Sequence, residues 1–254
     1  MSEFTFYQAT IWTWFGLAAI SFLALQFIVA PYGRHTRKGW GPTVSNRLGW
    51  ILMEAPTLLV FDFLWLIGDQ PTNAPRLLFI VLWHLHYVNR TLIFPFRIRG
   101  DQKKRMPALI MLMGMLFNTG NAYIQARWIF HFSDGYGPGW LSEATVLLGI
   151  ALFLVGYAIN LQSDAILRNL RKPGETGHKI PRGGLYRWIS CPNYFGELVE
   201  WTGWALATGS LGGVCFVVWT AANLVPRAQA NHRWYQEKFP DYPPERRAVF
   251  PGIL

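Results

Sequence analysis

The stretch IWTWFGLAAISFLALQFIVA, residues 11–30, is twenty residues without a charge. At about 1.5 Å of rise per residue, a helix of that length matches a hydrocarbon core of about 30 Å. Trp12 and Trp14 stand near its start, and such rings suit the boundary between lipid and water. A secretory signal would carry a basic leader and a shorter apolar run, so the segment is read as a retained helix. Six more apolar runs follow it, none alternating with a period of two. The expected helices are 11–30, 48–68, 77–96, 108–132, 144–170, 192–210 and 211–226.

The connections between these runs carry the orientation. Lys and Arg number 4 in 31–47, 1 in 69–76, 5 in 97–105, none in 133–143, 6 in 168–190, none in 209–213 and 5 after 226. Basic and non-basic connections alternate, the pattern of a polytopic protein whose basic loops stay in the cytoplasm. The expected fold is therefore an all-α membrane protein of seven transmembrane helices. Its N-terminus lies outside and its C-terminus in the cytoplasm, with 1–254 forming a single membrane-embedded domain. The net charge of +9 is explained as topogenic charge, and no nucleic acid is needed to account for it. Cys191 and Cys215 imply no disulfide framework.

Polar groups inside such helices are costly. A central charge costs at least ~2.5–3.5 kcal/mol on insertion scales, and such groups usually carry function. Glu54 lies well inside the second run, two residues before Pro56; it is a candidate for function, against the alternative of a paired structural carboxylate. Asp62, nearer the run's end, reads as structural. In LWHLHYVNRTLIF, Trp83, Tyr87, Arg90 and Thr91 share one helical face. Tyr87 is a neutral donor, or else a core aromatic. His84 and His86 point to different faces, and no HxxxH or CxxC spacing occurs, so no metal is expected. Asn118, Asn121 and Gln125 form one polar stripe, which is either interhelical glue or the lining of a cavity.

Two longer stripes stand out. Asn160, Asp164, Arg168 and Arg171 fall at i, i+4, i+8 and i+11, on one helical face. After a basic, glycine-rich connection, CPNYFGELVEW places Asn193, Glu197 and Glu200 at i, i+4 and i+7. Facing each other, the stripes would wall a polar cleft beside arginine and lysine, suited to a ligand with hydroxyls, amides and phosphates. Neither GxGxxG after a strand nor GxxxxGK[ST] is present, which excludes the common soluble nucleotide folds.

The run INLQSDAILRNLRKPGETGHKIPRGGLYRWISCPNYFGELVEWTGWALATGS resembles the membrane-embedded steroid 5α-reductases, the 3-oxo-5-alpha-steroid 4-dehydrogenases. HYVNRT, FNTGN and HRWYQEKFPDYPPERRAVFP agree with it. The resemblance implies NADPH-dependent reduction of the Δ4 double bond of a 3-oxo steroid. It implies that Glu54 and Tyr87 hold the C3 carbonyl oxygen. It also implies that Asn160, Asp164, Arg171, Asn193, Glu197, Arg227 and Tyr235 contact the cofactor, with Arg90, Arg168, Lys179 and Arg246 as further candidates. Trp50, Phe117 and Asn121 are the candidates for the substrate pocket. The sequence departs from the family pattern at His178, Lys179 and Asn231.

This chemistry suits the residues. A conjugated alkene accepts hydride at its β-carbon once the carbonyl is polarised, and a donor aimed at the developing oxyanion favours the transition state. Tyr87 supplies such a donor; Glu54, in a low-dielectric site, either donates as a neutral acid or orients the Tyr. The expected partners are an apolar, steroid-like substrate entering from lipid and the membrane lipids themselves, with a monomer as the expected state. The membrane is a bacterial inner membrane or an endoplasmic reticulum. Two rivals stay open: a related reductase of a sterol, enoyl-CoA or polyprenol, and a proton-coupled transporter, since intramembrane carboxylates also mark ion paths.

Overall fold

The computed structural model describes residues 1–29, 31, 35, 39–98, 105–171, 175 and 177–254. Of the basic residues counted in the connections, Arg34, Arg37, Lys38, Arg99, Lys103, Lys104 and Lys172 lie outside these.

The described chain is dominated by helices: α1 (Glu3–Phe27), α2 (Asn46–Leu66), α3 (Ala74–Val88), α4 (Phe94–Arg97), α5 (Ala108–Arg127), α6 (Ala144–Asn169), α7 (Pro192–Thr208) and α8 (Leu211–Lys238). A π-helical turn, Asn89–Ile93, joins α3 to α4, so that Ala74–Arg97 runs as one rod. Pro95 has no N–H to close an ordinary turn there, which accounts for the wider one. Among the described residues, five helices are long and apolar enough to cross a membrane: α1, α2, the α3–α4 rod, α6 and α8. This is an all-α membrane protein. Of the seven expected segments, α5 is diluted by its polar stripe and α7 has only 17 residues.

Several boundaries differ from the sequence reading. The first helix starts at Glu3, not near 11, because the Ser2 side chain caps it by accepting from the Thr5 amide. The last does not stop at 226. It runs through Pro226 to Lys238, held by packing against the tail, where Tyr235 stacks on Tyr242 at 5.2 Å. Apolarity ends before the helix does. A short antiparallel ribbon, β1 (Thr43–Ser45) with β2 (Arg105–Pro107), also adds two strands to the all-helical expectation. It pins the starts of α2 and α5 together, and these two helices then pack along their length.

The closest helix pair is α6 with α7, and glycine makes it possible. Gly149 and Gly156 on α6 meet Gly203 and Gly196 on α7. A Cβ at Gly156 would fall 2.3 Å from the Glu200 amide nitrogen and 2.5 Å from the Gly196 carbonyl. Small residues let backbones approach where lipid offers no hydrophobic drive. Gly156→Val is therefore expected to cost about 1–3 kcal/mol or more, because backbone cannot yield as a side chain can. Thermal unfolding in detergent, compared with Gly137→Val at an open loop position, reads it.

The end of the bundle opposite the tail is closed by polar clamps. Arg76, counted above as a loop charge, is buried. It donates to the carbonyls of Ile129 (2.9 Å) and Ser133 (2.6 Å) and to the Gln70 side chain (3.1 Å). Arg127 grips Glu3 with both Nε (2.8 Å) and Nη2 (2.7 Å).

Candidate active site

Packing of α2 on α5 sets Glu54 against Asn118, whose Nδ2 donates to Glu54 Oε2 at 3.2 Å and to the Met53 carbonyl at 2.7 Å. Asn118 thus has a specific role that its place in a polar stripe did not reveal. Glu54 is buried. Tyr87 stands on the neighbouring α3, its ring 4.5 Å from Trp83 and 5.7 Å from Trp201. Trp83 donates its Nε1 proton to the Thr57 carbonyl at 3.0 Å, which locks the wall on which Tyr87 leans.

Arg90 follows in the π turn. Its guanidinium lies 4.9 Å from the Trp50 ring and 4.6 Å from the Phe94 ring. The π turn aims it at the far helices: Nη1 is 3.8 Å from Asp164 Oδ2, and Nη2 is 4.0 Å from Glu197 Oε1. Four carboxyl groups, Glu54, Asp164, Glu197 and Glu200, act electrostatically on Arg90.

The two stripes do come together, but as a seam and not as the walls of an open cleft. Asn160 Nδ2 donates to Glu197 Oε1 and to the Asn193 carbonyl, both at 3.1 Å. Asn193 Nδ2 donates to Asp164 Oδ1 at 3.2 Å. The glycine contact brings the two backbones together. It leaves one polar face, opposed by Arg90 and Glu54 on the other side.

A second cluster lies towards the tail. Arg227 Nε donates to the Tyr194 hydroxyl at 2.8 Å, next in sequence to Asn193. Tyr235, buried, stacks on Tyr242, and the Arg246 guanidinium lies 5.2 Å from that same ring. Arg246 is 3% exposed, yet its Nε and Nη1 are buried with no hydrogen-bond partner among the described residues. Buried guanidinium N–H groups call for an anion. The structure does not bring every candidate in: Lys179 pairs at the surface with Glu175, and Arg171 Nη1 donates to the Gly177 carbonyl at 3.3 Å. Arg168 is half-buried and one of the cations that act on Asp164. Of the pocket candidates, Phe117 packs on Trp219 at 5.0 Å, and Asn121 accepts from Gln125 at 3.2 Å.

Sequence reasoning missed the pair His86–Glu200. His86 Nδ1 and Glu200 Oε1 are 2.8 Å apart and both side chains are buried. The HxH spacing was weighed only for metals, and no group that could hold a metal ion occurs among the described residues. His84, by contrast, pairs with Asp62 at 3.1 Å, in keeping with a structural Asp62.

Apolar helices packed around buried carboxylates, amides and arginine define an integral membrane protein with a polar interior, and such interiors usually carry function. A family model for 3-oxo-5-alpha-steroid 4-dehydrogenase matches residues 104–254. The chain is 44% identical over 255 residues to a steroid 5-alpha-reductase DET2 of Gossypium hirsutum, covering 99% of each chain. It is 43% identical over 242 residues to the 3-oxo-5-alpha-steroid 4-dehydrogenase 1 of Rattus norvegicus, covering 94% of this chain and 92% of that one. The human protein of the same name is 40% identical over 88% of this chain and 86% of its own length. The chain belongs to the 3-oxo-5-alpha-steroid 4-dehydrogenase family and is an oxidoreductase acting on a CH–CH bond.

Proposed function

We propose that the protein is a single-domain, seven-helix membrane reductase, with α5 and α7 completing the five apolar spans. It reduces the Δ4 double bond of a 3-oxo steroid at the expense of NADPH. The N-terminus is outside and the active site opens to the cytoplasm, in a bacterial inner membrane or an endoplasmic reticulum. The observation that carries this reading is Arg90. It lies three residues beyond Tyr87, yet reaches Asp164 and Glu197. This reach supports the reading of the carbonyl-binding pair and the polar seam as parts of one site.

The polar seam suits the cofactor's amide and hydroxyl groups, offered by Asn160, Asp164, Asn193 and Glu197. The unpartnered nitrogens of Arg246, together with Arg227 and Tyr235, suit its phosphates. When bound, the nicotinamide supplies the hydride that adds to the β-carbon of the enone. Tyr87 donates to the C3 carbonyl oxygen and holds the negative charge that gathers there. Glu54, steadied by Asn118, shares that oxygen or orients the phenol. The packed aromatic wall of Trp83 and Trp201 excludes water from the reacting atoms. The reaction balances with one hydride to the β-carbon and one proton to the α-carbon.

A substrate panel tests the reading. Purified protein with NADPH is given a Δ4-3-oxo steroid, a sterol, an enoyl-CoA and a polyprenol, and products are identified by mass. Reduction of the steroid alone is expected; turnover of another class with the steroid untouched would overturn it.

A further inference from the structure

The geometry points to the buried His86–Glu200 pair as a positioning device for Tyr87, coupling the cofactor-facing helix α7 to the helix that carries the donor. This rests on the reductase reading above.

The pair is not explained by stability. Glu200 is 0% exposed and His86 4%. Replacing a buried polar or ionic pair by apolar residues of similar volume is often neutral or stabilising, and in a membrane the incentive to do so is stronger. A fold needing only contact between α3 and α7 would use apolar side chains here. Glu200 Oε2 is also buried with no hydrogen-bond partner among the described residues, a further cost.

Its placement supplies the reason. His86 precedes Tyr87, and the two rings meet edge to face at 4.9 Å. His86 also meets the Trp201 ring at 4.6 Å, and Trp201 stacks on Tyr87 at 5.7 Å. Two consecutive residues of α7, Glu200 and Trp201, therefore hold two consecutive residues of α3. The hydrogen bond fixes how α3 is rotated about its axis, because His86 has one polar partner at one distance where an apolar contact would slide. The π turn begins two residues beyond Tyr87, so the helix has a joint just past the donor, and an anchor before that joint is needed. On α7, Glu197 lies one turn from Glu200 and bonds Asn160 in the polar seam. A rigid turn of helix thus links the cofactor face to the direction of the Tyr87 hydroxyl.

The test uses the full-length protein in detergent. His86→Phe combined with Glu200→Leu replaces the pair without burying a lone charge, and is expected to fold with a Tm at or above wild type. Cofactor affinity, measured by equilibrium binding, is expected to stay unchanged, and single-turnover hydride transfer is expected to fall about 100-fold, the cost of a misplacement of about 1 Å. Glu200→Gln, which keeps an acceptor for His86, recovers most of that rate. A double variant that reduces steroid at the wild-type rate overturns the inference. So does one that loses cofactor affinity in proportion, since the pair then belongs to the binding face. Wild-type protein that reduces no steroid overturns the reductase reading itself, and this inference with it.

Discussion

Tyr87→Phe lowers kcat by about 100- to 1,000-fold, the usual cost of removing one donor from a developing oxyanion. The phenyl ring keeps every ring contact that places it against Trp83 and Trp201, so folding and cofactor affinity stay as they were. Because the lost interaction matures only in the transition state, kcat and kcat/KM fall together. Glu54→Gln keeps the side chain's shape and a carbonyl oxygen for Asn118, and is expected to lose about 100-fold, the lower end of what acid–base groups contribute. The double variant loses little more than the worse single one, since the two act as a unit on one oxygen. Steady-state kinetics of the four proteins check this. Unaltered turnover in both single variants shows that the oxygen is held elsewhere.

Arg246→Met separates binding from folding by the sign of its two effects. The guanidinium is buried with two N–H-bearing nitrogens unpartnered among the described residues, and each such group costs about 1–3 kcal/mol. Removing them raises the thermal midpoint of the cofactor-free protein. If Arg246 holds a cofactor phosphate as proposed, the same change removes charge-assisted hydrogen bonds worth about 1.5–3 kcal/mol, and the NADPH Kd is expected to rise by about 10- to 150-fold. Thermal scans with and without NADPH read both effects at once. A variant that is less stable without cofactor and binds it normally has lost a structural arginine, and the phosphate site lies elsewhere.

The membrane class and the rough helix positions were legible because charge-free length is a direct consequence of bilayer thickness. Boundaries were less so. Ser2 capping and the passage of α8 through Pro226 depend on local hydrogen bonds and on packing against the tail, neither of which a hydropathy run records. The stripes on α6 and α7 followed from the 3.6-residue period. Their direct contact did not, although its signal was present: Gly149 and Gly156 repeat at seven, as do Gly196 and Gly203. Asn118 as the partner of Glu54, and Glu200 as the partner of His86, join residues 64 and 114 apart in the chain. Pairings at that distance have no local signature. Arg90 is intermediate. The sequence puts it on one face with Trp83 and Tyr87, but its reach to Asp164 and Glu197 depends on a π turn that only Pro95 hinted at.

The proposed mechanism turns on hydride delivery to the enone of a steroid held by Glu54 and Tyr87. Purified protein incubated with NADPH carrying deuterium at both C4 positions of the nicotinamide and a Δ4-3-oxo steroid tests this delivery. The expected product is a saturated 3-oxo steroid carrying a single deuterium at C5, the β-carbon, and none at the α-carbon. Deuterium at the α-carbon or at the carbonyl carbon, or a reduced product with no label, contradicts it.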